Sequence, residues 1–145
     1  MERLFAMAMT NIICSTNMAA CNIFLGTDIV DVERINRLIQ KYGNTFLFRI
    51  FNVNEIAYCW RTVKSANSFA ARFATKEAFA KALGTGIGKN VGWKDISVGK
   101  KSSGEPYIIL SKKGKNKIKA LGISSIKVSI SHTKTLAQAV VMLIK

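Results

Sequence analysis

Two carboxylates stand where the chain could do phosphate or metal chemistry. Asp28 follows Ile23-Phe24-Leu25-Gly26 at the predicted end of a strand, and Glu77 sits among Phe73, Phe79 and alanines in a predicted helix. A strand-end Asp is either a turn residue or a ligand. Glu77 precedes Lys81 by one turn, so an ordinary helical ion pair is one reading. The other follows from its surroundings: Phe69, Ala70, Phe73, Ala74, Ala78 and Ala82 bury the helix, and a buried carboxylate needs a partner or a metal. A hard cation such as Mg²⁺ takes a few carboxylate oxygens, phosphate oxygens and water. Arg72 and Lys76, four residues apart on the same helix, are either solvated charges or a clamp for phosphate. The run Gly84-Thr85-Gly86-Ile87-Gly88 is either a linker or a loop that lets backbone approach a ligand. It follows a helix, whereas nucleotide-binding glycine loops precede one. His132 is the single histidine, either structural or a group that titrates near neutrality.

The elements that must position these residues are readable in outline. A strand is expected over 22–28, and Asp31 caps a helix over 31–42 whose apolar face is Val32, Ile35, Ile39 and Tyr42. Arg34, Arg37 and Lys41 share another face of that helix. A second helix opens at Asn54 or Glu55 and runs to Val63, and a third runs from Ser68 to Leu83 and stops at Gly84. Strands follow at 93–99 and 105–111, then a short helix over 112–120 and strands at 126–131 and 135–144 joined by a turn at 132–134. The order predicts an α+β domain whose late strands form an antiparallel sheet.

Composition bounds the class. The 145 residues favour one domain with its own core. Lys and Arg number 22 against 8 Asp and Glu, a net charge of +14, which draws in nucleic acid, anionic lipid, phosphorylated ligands or an acidic protein. Cys14, Cys21 and Cys59 are odd in number and lack metal-ligand spacing, so reduced thiols and a cytoplasmic location are expected. Residues 1–21 read as an N-terminal extension or an over-early start, with Met7, Met9 and Met18 as other starts, and the domain as 22–145. Met18-Ala19-Ala20-Cys21 faintly suggests an export signal, but Glu2 beside Arg3 makes a poor basic start, and Thr10, Asn11, Ser15, Thr16 and Asn17 break the apolar run.

The order and spacing of five blocks carry a resemblance: Gly26-Thr27-Asp28-Ile29-Val30, Arg72-Phe73-Ala74-Thr75-Lys76-Glu77-Ala78 with Lys81, Gly84-Thr85-Gly86-Ile87-Gly88, Gly104-Glu105-Pro106-Tyr107 and Ser129-Ile130-Ser131-His132-Thr133. From about Ile23 to the C-terminus the chain resembles the holo-acyl-carrier-protein synthases, small phosphopantetheinyl transferases. Family members usually carry a basic residue or Asn in the slot of Glu105, a departure that bears on contacts near the nucleotide.

The resemblance implies a compact α+β trimer with three sites at subunit boundaries. It implies transfer of the phosphopantetheine arm from coenzyme A to a serine of apo-acyl carrier protein. In that pattern Asp28 and Glu77 match the Mg²⁺-binding, catalytic carboxylates, and Lys81 holds phosphate or assists the leaving group. Arg72 and Lys76 bind other coenzyme phosphates, and Gly84, Thr85, Gly86 and Gly88 pass the nucleotide. Pro106, Ser131, His132 and Thr133 line the pocket, His132 from a neighbouring subunit. The basic stripe Arg34, Arg37 and Lys41, with Arg49 further on, is either a solvated face or a dock for the acidic carrier protein, and in the resemblance Arg34 and Arg49 fall at matching basic positions. Two rivals differ in class. A nucleic-acid-binding domain explains the charge and the Trp60 and Trp93 rings but not the paired carboxylates. An inactive scaffold leaves the intact Asp28, Glu77 and Lys81 without a reason. The expectation is therefore no nucleic acid and no membrane partner.

Overall fold

The helix that carries Glu77 spreads its Phe and Ala residues around its circumference rather than along one stripe. Such a helix must be surrounded on all sides, and the fold is the arrangement that surrounds it. The structure, a computed structural model, describes residues 22–88 and 90–145; the expectations for 1–21, including Cys14 and Cys21, lie outside the described residues. The order is β1 (Ile23–Asp31), α1 (Val32–Ile50), α2 (Val53–Arg61), α3 (Ser65–Ala82), a 3-10 turn (Trp93–Asp95), β2 (Ile96–Lys100), β3 (Pro106–Leu110), α4 (Lys112–Ala120), β4 (Ser125–His132) and β5 (Leu136–Ile144). Among the described residues no helix is long and apolar enough to cross a membrane.

Thirteen of the 18 residues of α3 are buried, so it forms the centre of the molecule. One side lies on an antiparallel sheet of order β1-β5-β4. Along β5, Ala137, Ala139, Val141 and Leu143 alternate inward and are buried, the period-2 pattern of a sheet with one covered face. Small residues set the distance between helix and sheet. A Cβ on Gly26 of β1 would stand 1.9 Å from the Ala78 carbonyl oxygen and 2.5 Å from the Ala82 nitrogen. The two-stranded sheet β2-β3 is separate. The α+β class and antiparallel pairing are as expected, but the late strands do not form one sheet. The β4–β5 hairpin takes β1 as its third strand, because the inward residues of β5 and Gly26 cover the same face of α3.

Asp31 caps α1 as its position predicts, its Oδ1 accepting from the Arg34 N–H at 2.7 Å. The helix does not end at Tyr42. Gly43 leaves helical geometry (φ 52°, ψ −132°) and a second segment continues to Ile50, because Leu47 and Ile50 lie on one face and are buried. Gly84 (φ 72°) and Gly86 (φ 64°) take positive φ after α3, which favours glycine.

A buried ion pair ties the remaining elements to α3. Lys76 Nζ donates to Glu55 Oε2 of α2 at 2.8 Å, to the Ile50 carbonyl at the end of α1 at 2.9 Å and to the Trp93 carbonyl at 3.0 Å. Glu55 also accepts from the Asn52 N–H at 2.9 Å and the Val98 N–H at 3.0 Å. Burial pulls the Lys76 ammonium below the ordinary lysine value, and Glu55 opposes that pull. The expected phosphate contact at Lys76 is thereby corrected: an ammonium has three donors, and all three are satisfied inside the protein.

Lys76→Met leaves Glu55 buried without its cation. It is expected to destabilise the fold by about 3–5 kcal/mol, and Glu55→Gln with Lys76→Met by less than the sum of the single losses. Gly26→Ala is expected to destabilise by about 3 kcal/mol, the upper end of ordinary overpacking, because the atoms it meets are backbone. Urea unfolding at constant m-value checks both.

Candidate active site

The close seat of β1 on α3 brings the two carboxylates of interest to one place. Asp28 stands opposite Ala139 in the β1–β5 register, and its Oδ1 accepts from Lys81 Nζ at 2.7 Å. Lys81 is thus paired with Asp28, and among the described residues Glu77 makes no ion pair. The helical Glu77–Lys81 pair is not formed. Burial first, and then the Asp28 charge, push the Glu77 carboxyl above the usual carboxylate range, while Lys81 and Arg34 oppose the shift. Four charged groups from β1, α1 and α3 therefore feel one another: Asp28, Arg34, Glu77 and Lys81.

This donor set fits a hard divalent cation. Two carboxylates repel where one is already hard to ionise, and a cation between them removes that repulsion. No group of three His, Cys, Asp or Glu that could hold a metal occurs among the described residues. The remaining ligands would be water and substrate phosphate, the usual arrangement for Mg²⁺. The glycine run follows at once. The N–H groups of Thr85 and Gly86 donate back to the Ala80 carbonyl at 3.3 and 3.2 Å, so the loop turns tightly off the helix end beside Lys81. A Cβ at Gly84, Gly86 or Gly88 would meet nothing within 4 Å; the run borders open space, and at Gly84 and Gly86 glycine answers to φ rather than to crowding.

Arg72 lies elsewhere. It precedes Glu77 by five residues, about 140° around the helix axis, and faces a cavity of about 180 Å³ lined also by Tyr58, Lys100, Gly104, Pro106 and His132. Arg72 is 6% exposed, its Nη1 donates to the Ser68 carbonyl at 3.2 Å, and its Nε has no hydrogen-bond partner. Ser131, His132 and Thr133 line a second depression with Ile29, Leu136 and Gln138. The Thr133 hydroxyl accepts from the Thr135 and Leu136 N–H groups, and the Thr133 carbonyl accepts from Asn67 Nδ2 at 2.7 Å. The expected site residues thus fall into two groups on different sides of one chain. Glu105 pairs with Lys101 at 2.8 Å in the exposed β2–β3 turn.

Arg34 and Arg49 border an apolar groove of about 400 Å³ with Leu38, Tyr42, Phe46, Phe73 and Trp93. Arg37 and Lys41 are exposed on the same helix. Trp93 packs on Phe73 at 4.7 Å, and Trp60, half exposed, touches Phe69 at 5.2 Å. The groove was not foreseen, because the break at Gly43 hides that Phe46 and Leu38 share a wall. Tyr58 and Lys100 were also missed, since nothing in their local spacing places them beside Arg72.

With the geometry in place, comparisons with known proteins agree on one family. The pattern of the 4′-phosphopantetheinyl transferase superfamily matches residues 24–137. The chain is 48% identical over 118 residues to the holo-[acyl-carrier-protein] synthase of Ruminiclostridium cellulolyticum, covering 81% of this chain and 88% of that one. It is 50% identical over 117 residues to that of Chlamydia pneumoniae, covering 81% and 93%. Among solved structures, the holo-[acyl-carrier-protein] synthase of Neisseria meningitidis superposes with a TM-score of 0.79 at 37% identity, over 83% of this chain and 97% of that one. The Helicobacter pylori enzyme in complex with coenzyme A superposes with a TM-score of 0.74 at 38% identity, over 82% and 98%. The chain belongs to the 4′-phosphopantetheinyl transferase superfamily and, within it, to the holo-[acyl-carrier-protein] synthases.

Proposed function

We propose that the chain transfers the 4′-phosphopantetheine group of coenzyme A to a serine hydroxyl of apo-acyl carrier protein, with Mg²⁺, releasing adenosine 3′,5′-bisphosphate and supporting fatty acid biosynthesis. The observation that carries this reading is Asp28 beside Glu77, the latter held above its usual range by burial and by Asp28, with Lys81 at 2.7 Å from Asp28. Asp28 and Glu77 would hold the cation, which when bound would neutralise charge on the pyrophosphate and favour its in-line alignment. Lys81 stands ready to bind phosphate oxygen or to assist the leaving group. The serine Oγ–phosphorus bond forms as the bond from phosphorus to the bisphosphate oxygen breaks. The serine proton passes to an ordered water or to Glu77. Gly84, Thr85, Gly86 and Gly88 leave room for the nucleotide, and Arg72, Pro106, Ser131, His132 and Thr133 receive the rest of the coenzyme.

The two residue groups lie on different sides of one chain, so a coenzyme that meets both bridges two copies. The outward face of the β1-β5-β4 sheet supports an assembly: Ile23, Leu25, Ile29 and Leu136 are all exposed on it, and apolar side chains grouped on one exposed face mark interaction sites. The reading is a homotrimer with composite sites. Arg34, Arg37, Lys41 and Arg49, beside the apolar groove, dock an acidic carrier protein, and the net charge of +14 steers it in.

With Mg²⁺ and coenzyme A, the protein is expected to add a phosphopantetheine mass to apo-acyl carrier protein; intact-mass spectra without that addition across several apo carriers refute the enzyme. Asp28→Asn and Glu77→Gln are each expected to lower turnover by roughly a hundredfold or more, several kcal/mol of lost stabilisation, with an unchanged circular dichroism spectrum. Near-normal rates remove that residue from the metal site. Arg34→Glu with Arg37→Glu should raise KM for the carrier more than for coenzyme A, and light scattering should give a trimeric mass.

A further inference from the structure

Arg72 is a buried cation without a counter-charge. Among the described residues no carboxylate lies within ion-pair distance of it, and removing a charge from water without one costs several kcal/mol. The neighbouring Cys59 thiol does not supply one: burial pushes it up to about 12, so it stays neutral. What Arg72 has instead is a ring. Its Cζ lies 4.1 Å from the centre of the Tyr58 ring, within the range of a cation–π contact.

The placement of that ring follows from the core. Glu55 and Tyr58 lie three apart on α2, and Arg72 and Lys76 four apart on α3, so each pair occupies one helix face. Glu55 is fixed to Lys76 at 2.8 Å. The same docking of α2 on α3 lays Tyr58 against Arg72. The ring covers one face of the guanidinium; at its edge Nη1 donates to the Ser68 carbonyl, and Nε has no hydrogen-bond partner.

We propose that Tyr58 is a positioning residue for coenzyme binding: its ring holds the Arg72 guanidinium in the cavity beside Lys100 and His132, where its free donors meet a phosphate of the coenzyme. This rests on the reading of Arg72 as a phosphate ligand, and the experiment separates the two. Steady-state KM and kcat are measured for coenzyme A and for apo-acyl carrier protein with Tyr58→Leu, Tyr58→Phe, Arg72→Gln and the Tyr58→Leu/Arg72→Gln double variant. Tyr58→Leu is expected to raise KM for coenzyme A about fivefold, within the range of a desolvated cation–π contact. Its kcat and its KM for the carrier should stay within about twofold, beneath the scatter of ordinary surface changes. Tyr58→Phe keeps the ring and restores the wild-type KM, and Tyr58→Leu adds little once Arg72→Gln is present. If Arg72→Gln raises KM and Tyr58→Leu does not, the role of Tyr58 is overturned and Arg72 stands. If Arg72→Gln leaves KM unchanged, both fall. Tyr58→Phe as impaired as Tyr58→Leu, or equal rises in both KM values, also overturns the proposal. Tyr58→Met, closer in bulk, takes the place of the Leu variant if that one does not fold.

Discussion

The seat of β1 on α3 is the constraint on which the rest depends. At Gly26 the strand backbone lies so near the helix that even a methyl group has no room. Two residues further along the strand, that nearness becomes chemistry. Asp28 is brought to Lys81 and into the field of Glu77 only because the two backbones are this close. The alanines of α3 and of β5 are the same device seen from the other side. A helix of large side chains would pack well against the sheet but would hold the carboxylates apart.

Three cations on one helix show how burial sorts charge. Lys76 is fully enclosed and has its three donors satisfied, so it acts as a fastener between α1, α2 and the 3-10 turn. Lys81 is half exposed and paired with Asp28, close enough to the surface to exchange that partner for another. Arg72 is nearly as buried as Lys76 but keeps a donor without an acceptor. Unsatisfied buried donors are rare in folded proteins, and the residue that keeps this one also lines a cavity, a setting that favours an incoming anion.

The parts of this fold that were legible in the sequence are those that local physics decides. Asp31 as a cap, Gly84 as a stop, α4 over 112–120 and the alternation of β5 are read within a few residues of themselves. The carboxylates and Lys81 were legible through a resemblance, and the structure supplies their nearness. What was not legible depends on partners far away in the chain. Lys76 reads as a phosphate ligand beside Arg72 until Glu55, 21 residues earlier, is brought to it. The continuation of α1 past Gly43 was lost because the break is real in the backbone, and only the burial of Leu47 and Ile50 restores the helix. Tyr58 becomes meaningful only through that same Glu55–Lys76 docking.

The register of the first strand has a consequence for the order in which the molecule is made. Ile23 pairs with Ile144 and Asp28 with Ala139, so β1 waits for nearly the whole described chain before it gains its neighbour. Closing so long a loop is slow. During synthesis α1, α2 and α3 can form and meet as they emerge, while β1 keeps an unpaired edge with Phe24 and Leu25 beside it, the kind of surface that invites aggregation in partly folded chains. Only when β5 leaves the ribosome and closes against β1 does Asp28 acquire its fixed place.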